Sequence, residues 1–218
     1  MRFDDQRKKM VDNQLKARGI TDEKVINAFL KVPREVFVSD VWKDFSYNDS
    51  PLSIGYKQTI SQPYIVAFMM SLLELKETDR VLEIGTGCGY QTALLAEIAS
   101  EVYTIDRIEE LVVSAKQTLK GLEYKNVYFK IGDGCLGWIN AMPFTKDFDK
   151  IIISAGSPNV PEVLVSQLKN GGKIVMPQGS ITQQDIMVYE KKDDELVSEN
   201  HGKCVFVPLI GEGAWNEG

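Results

Sequence analysis

One stretch constrains this chain more than any other: Arg80 to Asp106, RVLEIGTGCGYQTALLAEIASEVYTID. Val81 to Ile84 reads as a short buried strand, since three of its four residues are apolar and no breaker interrupts them. Gly85, Gly87 and Gly89 then break the run at alternate positions, and Tyr90 to Ala99 resumes with helical periodicity. A second strand, Val102 to Ile105, ends on Asp106. Strand, glycine turn, helix, strand and terminal acid make the nucleotide-binding unit of a doubly wound α/β fold. Glycines at such a turn let backbone approach a ligand closely, and the acid can accept both hydroxyl protons of a ribose.

The spacing selects the nucleotide. A dinucleotide fingerprint reads G-x-G-x-x-G and aims a helix N-terminus at a pyrophosphate. Here Glu83-x-Gly85-x-Gly87-x-Gly89 resembles instead the acidic-x-G-x-G-x-G motif of S-adenosylmethionine-dependent methyltransferases. That cofactor has no phosphate but carries an ammonium, a sulfonium and a carboxylate, and an acid just before the turn suits a cationic ligand. The resemblance implies a Rossmann-like fold, with Glu83, Gly85, Thr86, Gly87, Cys88, Gly89, Asp106 and Arg107 around the cofactor. The plain alternative is a tight strand-to-helix turn with no ligand, and the matching Asp106 weighs against it.

Composition bounds the rest. At 218 residues the chain is long enough for one well-buried core, and 44% hydrophobic with 26% charged residues is ordinary for a soluble globular protein. A net charge of -6 argues against a general nucleic-acid binder, which needs a basic footprint. No run of about 18 apolar residues occurs, so no membrane partner is expected. MRFDDQRKKMVDNQ has no apolar core for a signal peptide. Cys88, Cys135 and Cys204 are scattered without a C-x-x-C pair, which favours free thiols and a cytoplasmic location. With His201 as the only histidine, neither a metal site nor a Ser-His-Asp triad is expected, and His201 belongs at an exposed or strand-edge position.

Around the glycine unit the pattern alternates. Phe3 to Arg18 reads as a helix closed by Gly19. Thr21 caps the next, whose apolar face is Val25, Ile26, Phe29 and Leu30 and which must end before Pro33. This pair is too small to stand alone and is expected to pack on the main domain. Asp40 to Gln58 lacks periodicity and reads as a long loop, a length that in compact domains is usually functional. An apolar helix follows from Tyr64 to Leu73, with Ser61 at its N-cap and Pro63 in its first turn. After Asp106 come a helix over Glu109 to Leu122, a strand over Val127 to Ile131 closed by Gly132-Asp133-Gly134, and a strand over Phe148 to Ser154. Then come a helix over Val160 to Leu168, an Asn170-Gly171-Gly172 turn and a strand over Lys173 to Met176. Ile186 to Glu190 and Val205 to Leu209 supply the last strands, joined by a charged, hairpin-like surface connection over Lys191 to Glu199. Such alternation predicts a mostly parallel sheet with one antiparallel strand near its C-terminal edge.

Several segments together are more restrictive than the glycine motif. MVDNQLKARGI (10–20), VPREVFV (32–38), GYKQTISQP (55–63), VLEIGTGCGYQTALLA (81–96), FDKIIISAG (148–156) and FVPLIGEGAW (206–215) occur in the order seen in the protein-L-isoaspartate O-methyltransferase family. The chain resembles that family from about Met10 to Trp215. The resemblance implies a single 218-residue domain: an N-terminal helical extension and active-site loop over 1–60, then a Rossmann-like core over 61–218. It implies a seven-stranded sheet whose last strands are ordered differently from most methyltransferases. It places the cofactor's adenine at the Asp133-Gly134 turn, although a plain G-D-G turn explains that sequence locally as well.

The implied reaction is methyl transfer from S-adenosyl-L-methionine to the free carboxylate of L-isoaspartyl residues, more weakly D-aspartyl ones. It leaves S-adenosyl-L-homocysteine and a methyl ester that cyclises to a succinimide, so damaged peptides and proteins are the partners. Ser61 is the catalytic candidate, because its hydroxyl can orient the carboxylate without quenching its charge; locally it reads equally as a helix cap. Thr59, Ile60 and Ser61 are expected to line the substrate cleft, with Ile60 also on the cofactor and Val207 and Pro208 supplying main-chain contacts. Two departures stand out. Tyr64, Ile65 and Val66 occupy the region where family members often carry a histidine, and Cys88 replaces the commoner serine. A monomer is expected. The competing readings are a methyltransferase acting on a small molecule or RNA, and a non-catalytic cofactor-binding adaptor.

Overall fold

Alternation along the strands decides the layers. The computed structural model describes residues 2–138, 148–193 and 195–217. Its main sheet contains β3 (Arg80–Ile84), β4 (Glu101–Asp106), β5 (Val127–Ile131), β6 (Phe148–Ile153), β7 (Leu168–Gly179), β8 (Gln184–Lys192) and β9 (Glu195–Cys204). They are ordered β5-β4-β3-β6-β7-β8-β9. The first five pair in parallel, and β8 alone runs against the rest. Val81, Val102, Ile152 and Val175 point to one core cluster, while Leu82, Ile105, Ile151 and Ile174 point to a second on the opposite face. The central strands are therefore buried on both sides, which is why they read as continuous apolar runs.

The N-terminal helices are part of the first core cluster. α1 (Phe3–Met10) continues through a π turn, Val11–Leu15, and a 3₁₀ turn, Lys16–Arg18, to left-handed Gly19 at φ 88°. α2 (Glu23–Lys31) follows, and Val11, Leu15, Val25, Phe29 and Val32 are all fully buried. Asp22, not Thr21, caps α2: its Oδ1 accepts from Lys24 N at 2.9 Å and Val25 N at 3.3 Å. Both are good caps, and one residue of register decides between them.

The segment expected as a long loop is largely structured. Asp40–Phe45 is a 3₁₀ helix, and β1 (Leu52–Gly55) pairs with β2 (Gln58–Ile60) as an antiparallel hairpin. Its two turn residues, Tyr56 and Lys57, both take positive φ, 51° and 58°. That geometry normally selects Asn-Gly, so the hairpin left no turn signal in the sequence. α3 (Pro63–Leu73) then lies on the sheet, followed past β3 by α4 (Tyr90–Ala96) and α5 (Glu109–Gly121).

Two further expectations are corrected in the C-terminal part. α6 is short, Glu162–Gln167, and Asn170-Gly171-Gly172 lies inside β7 as an irregularity in its pairing with β6 rather than as a turn ahead of it. The last strand is the polar stretch Glu195–Cys204, read from sequence as partly surface connection, and not Val205 to Leu209. β9 is an edge strand with mostly exposed side chains, so no burial pattern marks it, and its charged residues suit an unpaired edge. His201 lies on it, edge-on to Phe68 of α3 at 6.3 Å. Among the described residues no helix is long and apolar enough to cross a membrane.

Candidate active site

At the carboxyl ends of β3 and β6 the chain changes direction across the sheet, β4 and β5 lying on one side of β3 and β6 on the other. This switch point is where open α/β sheets bind ligands. A cleft opens there, bounded by the glycine turn, by Ile54 and Gln58–Ser61 of the hairpin segment, and by Val207–Ile210 of the tail.

On the donor side all three glycines of the turn have positive φ: 99° at Gly85, 52° at Gly87 and 88° at Gly89. They serve different ends. A Cβ on Gly89 would sit 2.7 Å from Leu119 Cδ1 and 3.0 Å from Ala115 Cβ, so this glycine lets α5 pack against the start of α4. Gly87 N donates to Asp106 Oδ2 at 2.8 Å and Ile108 N to Oδ1 at 3.0 Å. Each oxygen keeps a further acceptor position, and Asp106 lines the cleft, as a ribose acceptor requires. Arg107 also lines the cleft and pairs with Glu217 at 2.6 Å.

Glu83 sits differently from a direct ligand. It is fully buried beneath the turn and accepts from Thr92 Oγ1 at 2.5 Å, Thr104 Oγ1 at 2.7 Å and Gln91 Nε2 at 3.0 Å. Burial outweighs these hydrogen bonds and pushes its carboxyl up to about 7. Gln91 reaches the cleft wall and also donates to Ser154 Oγ at 2.7 Å, at the end of β6. Thr86 is buried too, its hydroxyl 2.6 Å from that of Thr104. Cys88 lines the cleft, and burial pushes its thiol up to about 11, which keeps it a thiol at neutral pH. Gly134 lines the cleft, and Asp133 beside it binds backbone: Oδ1 accepts from Cys135 N and Oδ2 from Glu212 N, both at 2.8 Å.

On the acceptor side Thr59, Ile60 and Ser61 all face the cleft. The expectation that Ser61 caps α3 fails: the N-cap is Gln62, Pro63 opens the helix, and no side chain caps it. Among the described residues nothing hydrogen-bonds the Ser61 hydroxyl, while its carbonyl accepts from Arg34 Nη2 at 2.8 Å. The tail closes the opposite wall. Gly156 N donates to Val207 O and Leu209 N to Gly156 O, both at 2.8 Å, and Trp215 Nε1 donates to Gly156 O at 3.0 Å. Sequence reasoning missed Gln91, Ile54, Ile210 and Arg34. Arg34, Gln91 and Ile210 each had a signal, since they fall within the family segments VPREVFV, VLEIGTGCGYQTALLA and FVPLIGEGAW, whereas Ile54 lies outside any of them.

Solved structures match this architecture, two of them at high similarity over nearly the whole chain. A protein-L-isoaspartate O-methyltransferase superposes with TM-score 0.84 at 30% identity, covering 95% of this chain and 67% of that one. A Plasmodium falciparum chain assigned to the same activity, solved in complex with S-adenosyl-L-homocysteine, gives TM-score 0.80 at 26% identity, covering 93% and 97%. Sheet order, switch-point cleft and glycine turn define a Rossmann-like S-adenosylmethionine-dependent methyltransferase. The family follows directly. The family model for protein-L-isoaspartate(D-aspartate) O-methyltransferase matches residues 5–214, and this chain belongs to that family. Proteins named protein-L-isoaspartate O-methyltransferase from Petrotoga mobilis and Dictyoglomus thermophilum are 53% and 49% identical to it. Each match covers 99% of this chain, with 100% and 96% of the relative.

Proposed function

We propose that the protein methylates the free carboxylate of L-isoaspartyl residues, and more weakly of D-aspartyl residues, in damaged peptides and proteins, initiating their repair. The observation that carries this reading is Ser61, whose hydroxyl has no partner among the described residues and which lines the same cleft as the glycine turn. Bound S-adenosyl-L-methionine supplies an activated methyl on its sulfonium and leaves as S-adenosyl-L-homocysteine. Asp106 would hold the ribose hydroxyls, the Gly85–Gly89 backbone would lie against the methionyl part, and the Gly134 turn would border the adenine. Ionised Glu83 supplies negative charge beneath the turn, and Gln91, hydrogen-bonded to it, reaches the cleft wall.

The acceptor needs orientation more than activation. A carboxylate with a pKa near ~4 is already ionised at neutral pH, so no general base is required. Ser61 donates one neutral hydrogen bond that aims an oxygen at the methyl carbon, at a separation near ~3 Å, without pairing the charge away. Val207, Pro208 and Thr59 bound the peptide channel, where main-chain contacts accept many sequence contexts. In the same reading residues 1–60 form the extension and active-site loop and 61–218 the cofactor core. The protein acts as a cytoplasmic monomer without nucleic-acid or membrane partners, in keeping with its net charge of -6.

The test incubates the protein with methyl-labelled S-adenosylmethionine and two peptides identical except for an isoaspartyl or a normal aspartyl linkage. Base-labile label on the isoaspartyl peptide alone is the expected result. Absence of label on both, with cofactor binding intact, would sink the reading.

A further inference from the structure

Among the described residues, Arg34 has the largest fully buried side chain, 0% exposed. Its Nε donates to Ser46 O at 2.7 Å, Nη2 donates to Ser61 O at 2.8 Å, and the guanidinium lies 4.8 Å from the centre of the Tyr90 ring. Among the described residues neither Nη1 nor the Tyr90 hydroxyl makes a well-formed hydrogen bond, and the two groups face each other. Among the described residues no carboxylate pairs with this cation. Glu35, its neighbour in sequence, is taken by Arg7 at 3.3 Å and by the Tyr47 hydroxyl. The other ionisable groups facing Arg34 are Tyr90, Cys88 and Tyr47, and burial raises all three, so they stay neutral at pH 7.

A buried guanidinium without an anion is costly, and an apolar side chain would fill the same volume. The charge has a use if its counterion arrives with the substrate. Tyr90 and Cys88 form cleft wall, and Ser61, held by Arg34, faces the acceptor space. The charges behind the cleft wall differ in sign: Glu83 lies beneath the glycine turn and Arg34 behind Tyr90 and the Ser61 segment, while Asp106 lines the cleft itself. We infer that Arg34 is a positioning residue whose buried charge, through the Ser61 segment it holds, makes the acceptor half of the cleft selective for an anionic carboxylate. The inference rests on the isoaspartyl reading above.

The test compares two hexapeptides of one sequence, isoaspartyl (anionic) and isoasparaginyl (neutral), binding the full chain in the presence of S-adenosyl-L-homocysteine. Wild-type protein is expected to bind the anion about tenfold or more tightly than the amide, the scale of one hydrogen-bonded charge. Arg34→Gln is expected to lose that preference while the amide peptide and S-adenosyl-L-homocysteine bind within about twofold of wild type. Retained anion preference in Arg34→Gln, or equal weakening of all three ligands, would make Arg34 a packing residue and overturn the inference. Should Arg34→Gln not fold, ¹⁵N-arginine spectra of the wild-type protein decide. The Arg34 side-chain resonance, assigned from Arg34→Lys, should shift with the isoaspartyl peptide and not with the amide; equal response to both overturns the proposal. If the wild-type protein neither methylates nor binds the isoaspartyl peptide, the functional reading itself fails and the inference falls with it.

Discussion

Ser61 and Glu83 mark the two sides of the chemistry, and each responds to a single substitution. Ser61→Ala removes one donor from a charged acceptor, so turnover on an isoaspartyl peptide should fall about tenfold to a hundredfold. Since the hydroxyl caps nothing, thermal stability should be unchanged, and S-adenosyl-L-homocysteine affinity should change little by calorimetry. Glu83 gives a pH signature. Its carboxyl is raised from an ordinary 4.5 to about 7, so the folded state holds a proton that the unfolded state has released. The resulting stabilisation is full below about pH 4.5 and is lost as pH rises through 7, a span worth about 3 kcal/mol. Against Glu83→Gln, the wild-type stability advantage in urea melts should therefore shrink between pH 5 and pH 7. A cationic cofactor favours the ionised form, so S-adenosylmethionine binding at pH 7 should release up to about half a proton, measurable from calorimetry in two buffers of different ionisation enthalpy. Zero proton release would count against Glu83 as the counter-charge.

At the scale of elements, the cleft is a meeting of pieces distant in the chain. The β1–β2 hairpin brings Ile54 to within 3.4 Å of where a Cβ on Gly87 would stand. The tail crosses the end of β6 through Val207 and Leu209, and Asp133 pins its continuation at Glu212. Asp133→Ala should free that segment: the Glu212 amide should lose hydrogen-exchange protection by about tenfold or more, the scale of one lost hydrogen bond to a charged group. Unaltered exchange at Glu212 would show that the tail is held by Trp215 and Gly156 alone. The acidic turn was legible as a ligand-side feature from its place after a strand. Its bracing function was not, because the partner lies 79 residues away in sequence.

For the whole molecule, the N-terminal helices and the cofactor turn share one core. Phe29 of α2 meets Tyr90 edge-on at 6.0 Å and Phe37 meets it at 5.5 Å, so the first residue of α4 is gripped by the extension. Phe29→Ala should destabilise the fold by about 3–5 kcal/mol, the usual result for truncating a buried aromatic. At temperatures where it remains folded, it should also weaken cofactor binding, because Tyr90 immediately follows Gly89. A loss of stability with unchanged cofactor affinity would separate the extension from the site.

The sequence by itself determined the alternating α/β order, the glycine turn with Asp106, and the family, since these rest on local spacing and on runs buried on both faces. It also pointed to Ser61 and the Val207–Pro208 segment, through motif words carried intact. Only the tertiary structure decided that Glu83 lies under the turn, that Asp133 braces the tail and that Arg34 holds Ser61. It likewise decided that a polar edge strand completes the sheet and that Tyr56 and Lys57 turn a hairpin. Those outcomes depend on which backbone groups and faces meet across long stretches of chain, and a contact between distant residues leaves no periodicity in either of them.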